Sequence, residues 1–248
     1  MSTDAMGAPH AFPTTRPSIV EAMAAEDEEA RRRALDTLVA VYWRPAYLHL
    51  RRKWGAPRED AEDLTQEFFA RVASDGFLAG YDSGRARFRT FLRGCLDHLA
   101  ANARRDAGRL KRGGAVSHLP LDFADAEGQV GLDASAAADP DRRFHQEWIR
   151  GLFALAVDSL RRESEAGGHQ LRFRLFSRHD LEPPDDESRP SYRDLAAEFG
   201  LPVTQVTNHL AWARREFRRL VLDRLREVCA DEAEFRAEAR ELFGVSAT

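Results

Sequence analysis

Apolar residues recur at three- and four-residue steps along most of this chain, which is the spacing of one face of an α-helix. The pattern predicts helices over about 18–54, 57–73 and 87–106. It resumes at Phe144 and continues almost to the C-terminus, with breaks at Gly167-Gly168 and at "LEPPDDESRP". Strand-like alternation is nearly absent, so the sequence predicts an all-α fold.

The composition along the chain divides these helices into two groups. Residues 1–17 are rich in Pro, Ala and Thr, and we expect a flexible N-terminus. Residues 108–142 exchange the helical pattern for Gly, Ala, Ser and Asp, which is typical of a linker. The prediction is therefore two helical modules, over 18–107 and 143–230, joined by an irregular linker. Residues 231–248 include "DEAEFRAEARELFG" and predict an extra amphipathic helix that packs on the second module.

The predicted helix over 58–72, "REDAEDLTQEFFARV", contains many carboxylates. Its apolar stripe and its acidic face each repeat at three- and four-residue steps. The stripe consists of Ala61, Leu64, Phe68 and Val72, and the acidic face consists of Asp60, Asp63 and Glu67. Spacing alone indicates a solvated face whose first acids interact favourably with the helix N-terminus.

The segment "SYRDLAAEFGLPVTQVTNHLAWARREFRRL" has the pattern of a helix-turn-helix. The pattern consists of Ser191 and Asp194 at the first cap, Ala196 at the helix crossing, Gly200 and Pro202 in the turn, Thr204 at the second cap, and Val206 and Leu210 as apolar anchors. The second helix would present Gln205, Thr207, Asn208 and His209 outward, followed by Arg214, Arg215, Arg218 and Arg219 for phosphates. An ordinary αα-corner is the alternative, but this combination in register favours DNA binding.

Residues 85–112 form a basic segment in which aromatic residues are interleaved. Arg and Lys neutralise phosphates and exposed aromatic rings stack on unpaired bases, so the combination suits opened DNA. The candidate DNA contacts are Arg89, Phe91, His98, Asn102, Arg104 and Arg105. His98 and Asn102 lie four residues apart on one helix face and could line a pocket for an extruded base. The alternative is a solvated basic face, with Phe91 in the core and His98 at the edge of the core.

Charge and composition exclude several other classes of protein. A net charge of −4 argues against a uniformly basic nucleic-acid binder. We find no apolar run long enough for a membrane span and no export signal. The two cysteines, Cys95 and Cys229, give no disulfide framework. Without a phosphate loop, a metal-spaced cluster or a catalytic triad, we expect neither an enzyme nor a cofactor. Cys95 and His98 would supply only half of a metal site.

Three segments in this order resemble a bacterial RNA polymerase sigma factor, of the extracytoplasmic-function (ECF) type of the sigma-70 family. The first, "YWRPAYLHLRRKWGAPREDAEDLTQEFFARV", resembles the segment that docks on the clamp helices of the polymerase. The second, "RFRTFLRGCLDHLAANARRD", resembles the element that opens and reads the −10 promoter sequence. The third, "SYRDLAAEFGLPVTQVTNHLAWARREF", resembles the helix-turn-helix that reads the −35 sequence.

The resemblance implies a role and a set of contacts for each module. Residues 18–107 would be a region 2-like domain and 143–230 a region 4-like domain, which together direct core polymerase to promoters for initiation. Docking would use Asp60, Glu62, Asp63, Gln66 and Glu67. The −10 contacts would be Arg89, Phe91, His98, Asn102, Arg104 and Arg105, and the −35 contacts would be Thr204, Gln205, Thr207, Asn208, His209, Arg214, Arg215 and Arg218. Implied partners are core polymerase (clamp helices and flap), double-stranded and melted promoter DNA, and an anti-sigma factor or other regulator, in the cytoplasm.

Departures from the family pattern leave two questions open. Many members have Trp at Phe91 and Asn at His98. Many also have Lys or Arg at Thr207 and His209, and these last two departures put the promoter sequence and the −35 affinity in doubt. The linker is long and acidic, and could mimic nucleic acid in a polymerase channel or simply aid solubility. About 35 linker residues reach at most roughly 115 Å, which exceeds the roughly 70 Å of two DNA turns between promoter elements. A stand-alone helix-turn-helix regulator is the competing function.

Overall fold

The computed structural model describes residues 18–74, 76–106, 119, 121–130, 139–182 and 189–244. All regular structure within these ranges is helical, which confirms the predicted all-α fold. In chain order the elements are α1 (Ile19–Ala24), α2 (Glu28–Lys53), α3 (Arg58–Val72), a 3-10 turn (Phe77–Gly80), α4 (Phe88–Asp106), α5 (Phe123–Val130), α6 (Pro140–Ala166), α7 (Gln170–Phe176), a π turn (Ser177–Leu181), α8 (Tyr192–Phe199), α9 (Val203–Val228) and α10 (Glu232–Phe243). The predicted flexible N-terminus, 1–17, lies outside the described residues.

Helix caps explain where the N-terminal helices begin. The segment predicted to be helical over 18–54 forms two helices. The chain is extended at Ala25, and Asp27 then starts α2 by accepting hydrogen bonds from the first-turn N–H groups. Ser18 and Glu21 form a capping box at the start of α1. The boundaries predicted for α3 and α4 agree with the structure to within one or two residues.

The first hydrophobic core is built around α2. Tyr42, which is 1% exposed, lies with its ring 6.4 Å from the rings of Phe88, Phe144 and Trp148. The predicted stripe of α3 packs on the same core, with Ala61, Phe68 and Val72 buried and Leu64 partly buried. Packing of α3 and α4 on one central helix fixes the directions in which their polar faces point.

The second core lies among α6, α7, α8 and α9. It consists of Ala156, Leu160, Leu175, Phe176, Leu195, Ala196, Val206, Leu210, Ala213, Leu220 and Val221. The two cores are joined by long helices that enter both. The start of α6 and the end of α9 contribute to the first core, whereas their other halves contribute to the second. In this structure the two modules therefore pack against each other, while the domain boundaries remain a prediction.

Gly151 marks the closest approach between α2 and α6. A Cβ atom at this position would lie 2.8 Å from the backbone oxygen of Val41 and 3.4 Å from its Cα. A backbone atom cannot move aside as a flexible side chain does, so only glycine allows this crossing. The contact between the modules therefore depends on the absence of a side chain.

The linker prediction of an irregular 108–142 is wrong for its central part, which forms α5. Phe123 packs its ring against Trp43 and Tyr47 of α2 at 5.8 and 5.1 Å, and Ala126 is fully buried. Short apolar stretches such as this one become helical through tertiary contacts rather than through their own propensity. The rest of the predicted linker is described only at residues 119, 121, 122 and 139–142.

The acidic residues of α5 pair with the basic side of α2. Asp125 accepts a hydrogen bond from Arg44 at 2.5 Å. Glu127 accepts from Arg51 through Nε at 2.9 Å and Nη2 at 2.5 Å, and also from the hydroxyl of Tyr47. The Arg51 guanidinium holds the pKa of Glu127 at about 2, far below its usual 4.5. The carboxylates of α5 are thus neutralised within the protein, which disfavours their use as a nucleic-acid mimic while α5 is docked.

Replacing Glu127 by glutamine should lower the free energy of unfolding by about 1–2 kcal/mol. The substitution removes the charge from the hydrogen bonds between Glu127 and Arg51, which are both partly exposed. The effect depends on pH with a definite sign. Since folding depresses this pKa, its stabilisation is complete above pH 4.5 and disappears as the pH falls towards about 2. Urea unfolding of both proteins between pH 2 and pH 7 measures this difference. A constant difference across that range would contradict the ion pair.

The C-terminal helix α10 was predicted on the second module, and it packs on α9 of that module while also entering the first core. Phe235 and Ala239 are buried in the first core, and Arg226 lies over the ring of Phe235 at 4.1 Å. Only the last turn, with Phe243, reaches the second core. The helix therefore covers the junction of the two modules.

The helices of the described residues include none that is both long and apolar enough to span a membrane.

Candidate functional site

The acidic face of α3 contains two carboxylates that point into solvent. Asp60 and Asp63 are exposed, and among the described residues neither makes a hydrogen bond or an ion pair. Glu62 and Glu67 differ, because each is paired one turn away: Glu62 with Arg58 at 2.7 Å, and Glu67 with Arg71 at 2.5 Å. Asp60 and Asp63 are thus the negative charges on this face that are left for a partner.

Gln66 belongs to the interior rather than to this face. Its side chain is 6% exposed. Its amide donates to the backbone oxygen of Leu119 at 3.0 Å and accepts from the backbone N–H of Leu119 at 2.8 Å. The family resemblance implied a docking role for this amide, but residue 119 of the predicted linker covers it. In this conformation Gln66 cannot reach a docking partner, so we remove it from the docking surface.

The first turns of α4 are packed rather than free. Phe91 is partly buried, with its ring 5.9, 5.2 and 6.3 Å from those of Phe77, Tyr81 and Phe88. Arg89 is 15% exposed, donates to Glu238 at 2.8 Å and lies over the ring of Trp148 at 5.6 Å. Neither of these predicted −10 contacts is available to DNA as the chain is folded here.

The later turns of α4 present the remaining −10 candidates to solvent. His98, Asn102, Arg104 and Arg105 are all exposed. Asn102 accepts a hydrogen bond from Arg105, which holds the two side chains together. Asp97 fixes this part of α4 to the end of α2 by accepting hydrogen bonds from His49 at 2.7 Å and from Lys53 and Trp54 at 2.8 Å. The exposed polar surface therefore stands on a rigid support, with His98 and Asn102 one turn apart.

The segment predicted to be a helix-turn-helix has the expected geometry at its first helix, α8, and at the turn that follows. Ser191 and Asp194 form a capping box at α8, with reciprocal bonds of 3.2 and 2.8 Å. Gly200 adopts φ +65°, the left-handed conformation predicted for it. The predicted cap at Thr204 is wrong. Pro202 occupies the cap position of α9, and no side chain hydrogen-bonds there. Proline needs no partner for a backbone N–H and is already extended, so it can replace a polar cap.

The start of α9 presents Thr204, Gln205, Thr207 and Asn208 as exposed side chains, whereas Val206 and Leu210 are buried as predicted. Thr207 donates its hydroxyl to the backbone oxygen of Val203 at 3.0 Å. His209 is partly buried, and burial, with Arg172 nearby, lowers its pKa. Gln205 and Asn208 are consequently the outward side chains best able to hydrogen-bond a base edge.

The arginines further along α9 divide into separate roles. Arg214 donates to Asp180 at 3.0 and 3.1 Å and to the hydroxyl of Tyr192 at 2.9 Å. These bonds tie α9 to α8, so the phosphate role predicted for Arg214 does not fit this conformation. Arg215 is exposed, whereas the guanidinium of Arg218 lies 4.9 Å from the ring centre of Phe243. Asp180, the acidic partner of Arg214, lies on the π turn 34 residues earlier. No local pattern in the sequence indicates this pair.

Sequence reasoning did not predict the partners of α4 in α10. Glu238 is 1% exposed and accepts from Arg87 at 3.0 Å as well as from Arg89. Glu241 accepts from Arg87 at 2.6 Å. The regular spacing of acids in "DEAEFRAEARELFG" is the signal that could have indicated a basic partner.

Groups that could hold a metal ion are limited in the described part of the chain. Ligand atoms of His145, Glu238 and Glu241 lie within 4.8 Å of one another. Arg87 and Arg89 already neutralise these carboxylates, so the cluster is an ion-pair network. Cys95 is partly buried, and burial raises the pKa of its thiol, whereas His98 beside it is exposed.

Comparison with known proteins identifies the segment that contains α3 and α4. Residues 40–110 match the family described as sigma-70 region 2. Comparison with curated proteins and with solved structures gives no match. The family match covers the second half of α2, the acidic face of α3 and the basic surface of α4. This segment of the chain is therefore similar to sigma-70 region 2, a region of factors that act in promoter recognition and transcription initiation.

Proposed function

We propose that this protein is a sigma factor of the ECF type that binds core RNA polymerase in the cytoplasm and directs it to promoters. The observation that supports this best is the sigma-70 region 2 match over 40–110. This segment supplies both the unpaired acids of α3 and the exposed basic end of α4. A helix-turn-helix with an outward polar face follows, as a two-element promoter reader requires.

Docking on polymerase is assigned to the exposed face of α3, centred on Asp60 and Asp63. Unpaired carboxylates on a rigid helix suit the clamp helices if those present a basic groove, because complementary charge speeds association and fixes register. Glu62 and Glu67 lie on the border of this face and keep their partners Arg58 and Arg71. A second contact, between the region around α8 and α9 and the polymerase flap, is part of the same proposal.

Promoter DNA is assigned to two surfaces. The exposed part of α4, with His98, Asn102, Arg104 and Arg105, would bind the opened −10 sequence through base contacts and phosphate neutralisation. The start of α9 would enter the major groove at the −35 sequence. Any anti-sigma factor or other regulator would act on these same surfaces.

Gln205→Ala and Asn208→Ala should each relax −35 base preference by about 1–3 kcal/mol, since an amide side chain can bond an adenine edge at two points. Arg215→Ala should instead weaken all sequences alike and reduce the salt dependence, because a phosphate contact reads no base. Transcription by core polymerase from a genomic library, with each variant, measures both effects. Base preference that survives both amide substitutions would contradict this assignment.

The same experiment tests the proposed function itself. Addition of the protein to core polymerase should produce transcripts from a defined set of start sites that core polymerase alone does not use. Protein that binds DNA but leaves core polymerase unchanged would instead be a stand-alone helix-turn-helix regulator.

A further inference from the structure

The C-terminal helix α10 presents three carboxylates to the start of α4. Glu234, Glu238 and Glu241 recur at four- and three-residue steps and so share one helix face. Phe88 is the first residue of α4, and its backbone N–H donates a hydrogen bond to the Glu234 carboxylate at 2.6 Å. Glu238 and Glu241 accept from Arg87 and Arg89. One face of α10 thus satisfies a helix N-terminus and two guanidinium groups.

These are the interactions that a DNA backbone would make at the same place. Phosphate oxygens bind helix N-termini and arginines through the same charge-assisted hydrogen bonds as carboxylates do. Glu238 is 1% exposed, so its bonds to Arg87 and Arg89 are shielded from solvent. Because Arg89 is held inside this network, it cannot bind a phosphate until the carboxylates leave.

The other contacts of α10 hold the second module in place. Phe235 and Ala239 are buried in the first core beside Leu225 and Val228 of α9, and Phe243 lies under the guanidinium of Arg218. The helix rises about 26 Å over the seventeen steps from Asn208 to Leu225. While α10 is docked, the recognition residues at the start of α9 therefore stay within about 26 Å of the first core. The two promoter elements lie roughly 70 Å apart.

We propose that α10 is an internal competitor of promoter DNA: docked on α4, it masks Arg87 and Arg89 and keeps the two modules closed. This inference rests on the proposed function, since it assumes that α4 binds DNA. The apparent affinity for DNA is then the intrinsic affinity multiplied by the fraction of molecules in which α10 has left. Core polymerase, by binding the modules apart, would raise that fraction.

Glu241→Lys tests the proposal with the full-length chain, because lysine would face Arg87 and Arg89. Glu232→Lys is the matched control. It makes the same charge change on the same helix at a similar exposure, 47% against 42%, but next to Arg226 and Arg236. We expect Glu241→Lys to bind a fluorescent oligodeoxythymidine about tenfold more tightly than the control does, by anisotropy at low salt. Equal affinities of the two variants would overturn the masking.

Hydrogen exchange on the unmodified protein supplies an outcome that does not depend on variant folding. The amide of Phe88 donates to Glu234 only while α10 is docked, so oligodeoxythymidine should speed exchange of this amide and of the α10 amides. If the α10 amides exchange as slowly when α4 is saturated with DNA as they do without DNA, the proposal is also overturned. If transcription depends on the protein while both measurements fail, the proposed function stands and the masking does not. If α10 is released by DNA but core polymerase stays inactive, the masking stands and the proposed sigma factor function does not.

Discussion

Replacing Gly151 by leucine should lower the free energy of unfolding by about 3 kcal/mol, the upper end of the range for an overpacked core. The added Cβ would lie 2.8 Å from the backbone oxygen of Val41, so α2 and α6 must separate. These helices bring the two modules together, and the start of α6 supplies Phe144, Trp148 and Leu152 to the first core. A typical domain has 5–15 kcal/mol of stability, so we expect the variant to remain folded at low temperature.

Gly94→Leu is the matched control for this substitution. Gly94 is also helical, in α4, and a Cβ atom there would have no neighbour within 4 Å. Leucine should therefore stabilise the protein by up to about 1 kcal/mol, because it is a better helix former than glycine. Urea unfolding followed by circular dichroism measures both variants. The two substitutions should have opposite signs, and two equal stabilisations would show that α2 and α6 do not approach closely in solution.

The local features of the fold could be predicted from sequence because their causes are local. The stripe of α3, the capping box at Ser191 and the positive φ of Gly200 each depend on residues within one or two helical turns. The same holds for the exposure of Asp60, Asp63, His98 and Asn102, which follows from helical position once the apolar face is known.

The remaining features depend on contacts between distant segments. The apolar residues Phe144 and Trp148 are helical by pattern, but the pattern does not say which module they pack on. Gln66 lies inside because residue 119 returns over it, and Arg214 lies inside because Asp180 lies opposite. The pairs between α4 and α10 join residues separated by some 150 positions. A polar side chain on a helix therefore has a predictable direction but not a predictable partner.

Substituting lysine for both Asp60 and Asp63 should abolish binding to core polymerase, with a loss of at least roughly a hundredfold. Each lysine would place a positive charge against a basic groove, and like charges at an interface cost several kcal/mol. Both carboxylates are exposed and, within the described residues, unpaired, so the folded chain loses only the favourable position of Asp60 in the first helical turn. A pull-down with core polymerase measures binding, and circular dichroism monitors the fold.

The control must separate a specific surface from a general effect of charge. Asp36 and Glu165 are exposed acids on α2 and α6, and lysine at both positions makes the same total change in net charge. Long-range attraction is screened beyond about 10 Å at moderate salt, so this control should bind core polymerase nearly as well as the unmodified protein. Loss of binding in both double variants would indicate a general charge effect, and unimpaired binding of the Asp60/Asp63 variant would remove α3 from the interface. Loss in that variant alone would leave the carboxylates of α3 as the docking contact, because the two proteins differ only in where the charge is placed.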